Sequence, residues 1–180
     1  NRFVSTRLHE FRLTADNALG LFADYDLVID GSDNFATRYL VNDAAVLAGK
    51  PYVWGSIFRF EGQVSVFWEG APGDRGLNYR DLFPEPPLPG TVPSCAEGGV
   101  LGVLCASIGA VMATEAIKLI TGIGDSLLGR LMIYDALAMT YRTIPVRKDP
   151  EAPKVTGLSD YERFCGLPDG EPRAASAITP

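Results

Sequence analysis

The order of an apolar segment, a helical pattern and a second apolar segment between residues 24 and 57 most constrains how this chain can fold. Residues 24–30 (DYDLVID) predict a short buried strand, and residues 52–57 (YVWGSI) predict the next one. Between them, residues 35–48 carry apolar side chains at helical spacing, and Gly49 follows as a C-terminal cap. Because a helical crossover joins parallel neighbours, the pattern predicts an α/β fold with a mostly parallel sheet.

Further elements are predicted on both sides of this unit. Four more strands and one short helix are expected, the strands at residues 3–14, 62–68, 129–137 and 140–146 and the helix at residues 15–22. The strands from 62–68 and 129–146 should form an antiparallel portion of the sheet. Residues 98–122 are apolar and rich in small side chains, which predicts one long buried helix ended by Gly122. The proline- and glycine-rich residues 70–94 predict a loop.

The C-terminal part of the chain has a different composition. From Lys148 onward the sequence is polar and rich in proline. This change predicts a folded domain over residues 1–147, followed by a linker and, at residues 167–180, a disordered tail.

Charge and composition exclude several classes of protein. The net charge of -6 and the isoelectric point near 4.8 disfavour nonspecific binding to nucleic acid. No uninterrupted apolar run reaches the roughly 18–20 residues that span a bilayer, and no signal-peptide pattern opens the chain, so a cytoplasmic protein is predicted. Cys95, Cys105 and Cys165 form no CxxC pair, which indicates neither a disulfide framework nor a structural zinc site.

Two aspartates and an asparagine stand where the first strand of the central unit meets its helix. Asp30 ends the strand, and Asp33 and Asn34 directly precede the helix. A carboxylate at the carboxyl end of a strand suits Mg²⁺, which takes one or two carboxylates together with phosphate and water oxygens. Aspartate is equally favoured as a helix N-cap. From the residues alone, Asp33 is therefore either a magnesium ligand or a cap, and Asp30 is a supporting residue.

Three blocks of the sequence together carry a family resemblance. Residues 24–67 (from DYDLVIDGSDNFATR to GQVSVF), residues 94–122 (from SCAEGG to LITG) and residues 129–137 (GRLMIYDAL) occur in the order found in the MoeB/ThiF family of ubiquitin-activating-like adenylyltransferases. The chain resembles this family over about residues 1–150, which implies a Rossmann-like fold.

The resemblance also implies a reaction and its partners. Members attach the C-terminal Gly-Gly of a ubiquitin-like sulfur carrier (of the MoaD, ThiS or CysO type) to AMP from ATP with Mg²⁺, and then transfer sulfur to it. The products serve molybdopterin, thiamine or cysteine synthesis. Members form homodimers, and residues 148–166 are similar to a linker that joins some members to a rhodanese domain.

Site residues follow from the resemblance position by position. Asp33 and Asn34 match an Asp-Asn pair beside the ATP phosphates, with Asp33 as the catalytic magnesium ligand. Arg38 matches an arginine that supports this site, although a surface arginine is an equal alternative. Cys95 matches a sulfur-transfer cysteine, and a thiol before a long helix would have its thiolate stabilised. The alternative for Cys95 is a small apolar residue. Arg59 could steer a carboxylate or be an ordinary turn residue.

Departures from the family limit these expectations. Where relatives place zinc-binding cysteine pairs, this chain has NYRD (78–81) and RKDPEAPKV (147–155), so no zinc is expected. The glycine-rich ATP loop is not found, so the N-terminal nucleotide-binding half of the fold should lie outside this chain, which alone is predicted inactive. Two alternatives remain open: a noncatalytic dimerisation or carrier-docking module, and a Rossmann oxidoreductase, which the lack of GxGxxG after a strand disfavours.

Overall fold

A five-stranded sheet organises the residues that the computed structural model of the chain describes, which are 1–93 and 95–166. The strands are β1 (Val28–Asp30), β2 (Tyr52–Phe58), β3 (Glu61–Phe67), β4 (Arg130–Asp135) and β5 (Thr140–Pro145). The helices are α1 (Ala15–Ala23), α2 (Phe35–Leu47), α3 (Cys95–Gly98), α4 (Leu104–Thr121) and α5 (Tyr161–Phe164), and a 3₁₀ turn lies at Tyr79–Asp81. The predicted α/β fold and its central strand–helix–strand unit are confirmed.

The strands lie in the order β1-β2-β3-β4-β5. β1 and β2 are parallel as predicted, with Asp30 beside Trp54, but each of the other three neighbouring pairs is antiparallel. The prediction of a mostly parallel sheet is therefore wrong for the described residues. The reason is local, because β2–β3 and β4–β5 are joined by short hairpin turns, which can only produce antiparallel neighbours. The predicted antiparallel portion is confirmed, and it makes up the larger part of the described sheet.

Side chains alternate between the two faces of β2 and so divide the core. Tyr52 and Trp54 face α1 and α2, whereas Val53 faces α4. This alternation is the period of two expected for a strand buried on both faces. The face toward α2 is aromatic: Trp54 lies near Phe67, Tyr79 and Phe83 with ring centroids 5.4–6.3 Å apart. This aromatic layer supports the loop between β1 and α2.

The long apolar stretch does not form one helix. Only α4 is long, and it begins at Leu104 rather than near Gly98. Gly99 has a positive φ of 73°, and the amide N–H of Arg59 donates to its carbonyl across 3.2 Å. Because positive φ cannot continue a right-handed helix, the chain breaks there and α3 is separate from α4. The predicted end is confirmed, since Gly122 caps α4 in the left-handed conformation.

One face of α4 packs on the sheet. Its buried stripe contains Leu104, Ile108, Met112 and Ala116, which are spaced four residues apart. A Cβ on Gly62 of β3 would lie 2.3 Å from the end of the Ile108 side chain, so glycine there permits the close approach. The helix can therefore sit against β2 and β3 without a layer of larger side chains between them.

The other face of α4 is apolar and open to solvent. Ile117 is 55% exposed and Ile120 is 73% exposed. The prediction of a buried helix is therefore wrong for this face, where Cys105 is exposed as well. By length and apolar composition alone α4 could cross a bilayer. However, its buried Glu115 accepts the amide N–H of Leu127 at 2.6 Å, which binds the helix to the end of the loop before β4.

The N-terminal residues differ from expectation in part. Helix α1 is confirmed, but residues 1–14 contain no strand in the structure. Their side chains are mostly exposed, and β1 pairs only with β2, so no neighbouring strand satisfies their backbone groups.

Residues 148–166 form what we call the C-terminal strap. Lys148 reaches Glu69 at 2.6 Å and Asp81 at 3.2 Å, and the amide N–H of Asp149 donates to Asp81 at 3.1 Å. Helix α5 then packs on α2, where Tyr161 is buried. These residues are therefore attached to the domain at both ends, and their role as a linker to a further domain stays a prediction. The predicted tail at 167–180 lies outside the described residues.

A buried ion pair lies beneath the strap. Arg80 donates to both oxygens of Asp43, at 2.9 and 2.8 Å, and its guanidinium lies 5.0 Å from the ring centre of Tyr39 and 4.9 Å from that of Phe164. The hydroxyl of Tyr161 donates to the same carboxylate at 2.8 Å. The pair thus joins α2, the 3₁₀ turn and α5 in one contact.

The variant Tyr161→Phe tests this attachment. It removes only the hydroxyl that donates to the buried Asp43 carboxylate, so we expect the free energy of unfolding to fall by about 2 kcal/mol in urea titrations. The matched control is Tyr141→Phe on β5, whose side chain is 57% exposed, and it should change the free energy by less than about 0.5 kcal/mol. Equal effects of the two variants would contradict a strap held by this hydrogen bond.

Candidate functional site

The loop between β1 and α2, residues 31–34, contains the predicted site. Asn34 caps α2: its backbone is extended (φ -130°, ψ 144°), and its Oδ1 accepts the amide N–H of Thr37 at 2.8 Å. The alternative that Asp33 is the helix cap is therefore wrong, because the residue after it already fills that position. The side chain of Asn34 is occupied by the cap, so its oxygen is held toward the helix.

The carboxylate of Asp33 is exposed. Within residues 1–93 and 95–166, no hydrogen bond or ion pair to its carboxylate is found. It stands directly before the N-terminus of α2, where the helix dipole favours negative ligands such as phosphate. No three His, Cys, Asp or Glu side chains in this part of the chain form a metal cluster. The arrangement fits Mg²⁺ bound by one carboxylate plus phosphate and water oxygens, rather than a cage of protein ligands.

Arg38 holds the loop from the helix side. Its Nε and Nη2 donate to the carbonyl oxygen of Ser32 at 3.1 and 3.0 Å. Its guanidinium lies 5.4 Å from the ring centre of Phe35 and 5.8 Å from that of Trp54. These contacts exclude the simple surface arginine that the sequence left open. They support the loop rather than Asp33 directly, and a role for Arg38 at a phosphate stays a prediction.

Two groups beside this loop, the hydroxyl of Ser32 and the indole of Trp54, were not singled out by the sequence, whereas Asp30 was predicted as a supporting residue. Asp30 accepts the amide N–H of Ser32 at 2.9 Å through Oδ1. Its other oxygen, the hydroxyl of Ser32 and the indole N–H of Trp54 are all buried without a hydrogen-bond partner among the described residues. The signal that could have drawn attention to Trp54 is its position in β2, one strand away from Asp30 at the same level of the sheet.

Tyr79 closes this region from the 3₁₀ turn. Burial raises the pKa of its hydroxyl to about 12, and the positive charge of Arg38 opposes that rise. Its ring centre lies 5.4 Å from that of Trp54. The loop after β3 is thus connected to the β1–α2 loop through one arginine and two aromatic side chains.

The predicted sulfur-transfer residue, Cys95, begins α3, and its side chain lies outside the described part of the structure. Since α3 has four residues and is separate from α4, the argument that a long helix stabilises the thiolate does not hold. Gly98 of α3 packs on Phe58, because a Cβ there would lie 2.8 Å from the ring. Cys95 is therefore near the carboxyl end of β2, on the same end of the parallel pair as Asp33.

Arg59 forms the turn after β2 with a positive φ of 51°. Its backbone binds residues on both sides of Val100, through Gly99 and Leu101, which fixes the segment after α3 to the sheet. The guanidinium lies 5.2 Å from the ring centre of Phe58. Its role in steering a carboxylate stays a prediction.

Comparison with known proteins identifies the family. Residues 1–154 match the sequence model of the ThiF family. The chain belongs to the ThiF family. It is 69% identical over 183 residues to the probable adenylyltransferase/sulfurtransferase MoeZ of Mycobacterium tuberculosis, covering 100% of this chain and 47% of that protein. The predicted family resemblance is confirmed.

Two further relatives and one structure agree with this membership. The sulfur carrier protein adenylyltransferase of Thermus thermophilus is 54% identical, covering 93% of this chain and 64% of that protein. The adenylyltransferase and sulfurtransferase MOCS3 of Drosophila grimshawi is 46% identical, and the match covers 88% of this chain and 36% of that protein. The crystal structure of E. coli MccB with ATP aligns with a TM-score of 0.58 at 15% identity, over 78% of this chain and 42% of that one, and so shares the fold. The ThiF-family chain spans about half the length of MoeZ.

The two neighbouring loop residues should differ in their effect on stability. Asn34→Ala removes the N-cap of α2, so we expect the free energy of unfolding to fall by about 1 kcal/mol. Asp33→Ala removes an exposed side chain without partners and should change it by less than about 0.5 kcal/mol. Urea unfolding of both variants measures the difference. A larger loss in Asp33→Ala than in Asn34→Ala would show that Asp33 is the capping residue after all.

Proposed function

We propose that this chain forms part of an ATP-dependent adenylyltransferase and sulfurtransferase that activates the C-terminal Gly-Gly of a ubiquitin-like sulfur carrier. The observation that carries the proposal is the exposed carboxylate of Asp33, which has no partner in residues 1–93 and 95–166 and lies between two fixed residues at the carboxyl end of β1. The names of the relatives support it, since MoeZ, MOCS3 and the Thermus protein are called adenylyltransferases and the last is named for a sulfur carrier.

The proposed reaction places two negative groups together. The carboxylate oxygen of the carrier would attack the α-phosphate of ATP, forming a carboxyl–phosphate bond as pyrophosphate leaves. Asp33 would bind Mg²⁺ there, and the ion would offset the charge of the phosphates. The N-terminus of α2 would also offset the negative charge of the phosphates, because its free amide groups and dipole face the loop. Asn34 keeps that helix start in place through its cap.

Other parts of the proposal concern partners. The open face of α4, with Ile117 and Ile120 exposed, supports a homodimer, because such an apolar face is commonly covered by a partner. Cys95 would accept sulfane sulfur from a persulfide donor, and the Cys95 persulfide would attack the acyl-adenylate so that AMP leaves. A reducing thiol would then cleave the acyl disulfide and release the thiocarboxylate. A rhodanese domain in the same protein, a cytoplasmic location and the lack of zinc stay predictions. The chain alone is predicted inactive, so experiments require the full-length protein.

The first test is ATP–pyrophosphate exchange by the full-length protein with a Gly-Gly-ended sulfur carrier. We expect carrier-dependent exchange, and a reduction of about 100-fold or more in Asp33→Ala because a magnesium ligand is lost. The matched control is Asp26→Ala, an exposed aspartate that precedes β1 at the opposite end of the strand, and it should leave the exchange rate unchanged.

The outcome also decides between the two functions considered. Exchange that is equal in Asp33→Ala and wild type would remove Asp33 from the site. Carrier binding by the wild-type protein without exchange would favour a noncatalytic docking module and overturn the adenylation proposal.

Cys95 is tested separately from adenylation. In the full-length protein, Cys95→Ser should keep the rate of pyrophosphate exchange within about twofold, because the thiol is not needed to form the adenylate. Formation of the carrier thiocarboxylate, measured by mass spectrometry with a persulfide as the sulfur donor and a reducing thiol, should be lost. The control is Cys105→Ser, which replaces an exposed cysteine on α4. A Cys95→Ser protein that still makes thiocarboxylate at the wild-type rate would exclude this role.

A further inference from the structure

Three buried polar atoms cluster at the end of the parallel strand pair. Asp30 is 5% exposed and Trp54 is 2% exposed, and the two are direct neighbours on β1 and β2. The Oδ2 of Asp30, the indole N–H of Trp54 and the hydroxyl of Ser32 have no hydrogen-bond partner among the described residues. Such groups lower stability when they are buried, so a carboxylate kept here calls for a functional explanation.

These atoms act within the protein rather than on a substrate. All three are sealed from solvent, so a carrier tail or nucleotide cannot touch them in this conformation. The other oxygen of Asp30 already accepts the amide N–H of Ser32 at 2.9 Å. The effect of Asp30 therefore passes through the loop that follows it.

A continuous set of contacts leads from Asp30 to both sides of Asp33. Asp30 fixes the amide N–H of Ser32, and Arg38 fixes the carbonyl oxygen of the same residue at 3.0 and 3.1 Å. On the other side, Asn34 is fixed by its cap on α2. The residues on both sides of Asp33 are thus held, while no partner of the Asp33 carboxylate is found among the described residues.

We propose that Asp30 is the positioning residue of the adenylation site, where its carboxylate orders the Gly31–Ser32 turn so that Asp33 faces bound Mg²⁺. This inference rests on the proposed function.

The test compares Asp30→Ala with Asp30→Asn in the full-length protein. In Asp30→Ala, hydrogen–deuterium exchange at residues 31–34 should rise about tenfold or more, because the bond to the Ser32 amide is lost. The Mg²⁺ concentration for half-maximal pyrophosphate exchange should rise about tenfold as Asp33 loses its orientation. Asp30→Asn keeps an oxygen at the Oδ1 position and should stay within about threefold of wild type in both measurements.

The matched control is Asp135→Ala. Asp135 ends β4, three strands away from β1 in the sheet, and accepts the amide N–H of Leu137 at 2.9 Å in the same two-residue turn. Asp135→Ala should raise hydrogen–deuterium exchange in the turn at residues 135–137 without changing the Mg²⁺ concentration for half-maximal pyrophosphate exchange. If Asp30→Ala does not fold, Asp30→Val, which keeps the volume of the carboxyl group, provides the same comparison.

The two proposals fail in different ways. A wild-type protein without carrier-dependent exchange overturns the proposed function and with it the role of Asp30. If the wild-type protein is active and Asp33→Ala is not, but Asp30→Ala matches Asp135→Ala in Mg²⁺ requirement and in exchange at residues 31–34, only the positioning role is overturned.

Discussion

The buried ion pair between Asp43 and Arg80 is the contact on which most of the structure depends. It joins α2, the 3₁₀ turn after β3 and, through Tyr161, the C-terminal strap. An unpaired charge at this depth would destabilise the domain by several kcal/mol, so each partner requires the other. Because α2 also begins at the loop that carries Asp33, the pair fixes the helix at one end while the site forms at the other.

The site itself combines fixed neighbours with one free side chain. Ser32 and Asn34 are bound through backbone and cap contacts, and Asp33 between them has no partner in the described residues. The conformational entropy of this loop is therefore lost when the protein folds rather than when a ligand binds. Such preorganisation lets a single carboxylate act with little rearrangement.

The sequence predicted those parts of the fold whose causes are local. The helix at Phe35–Leu47 and its flanking strands follow from apolar spacing and from Gly49, and the resemblance placed Asp33 and Asn34 at the site. The break before Leu104 could not be predicted, because an apolar stretch does not show which glycine takes a positive φ. The strap was missed because Tyr161 meets a residue 118 positions earlier. The contact of Arg38 was missed because its acceptor is a backbone carbonyl, which every residue has.

The strap has two separate attachments, one at Lys148 and Asp149 and one at α5, with mostly exposed residues between them. Within the strap, the peptide bonds most accessible to a protease are therefore those at about residues 150–159, between the two attachments. Each half would stay attached by its own contacts after a single cut. Such a nicked protein would elute as an intact species under native conditions and separate into two fragments only in denaturant.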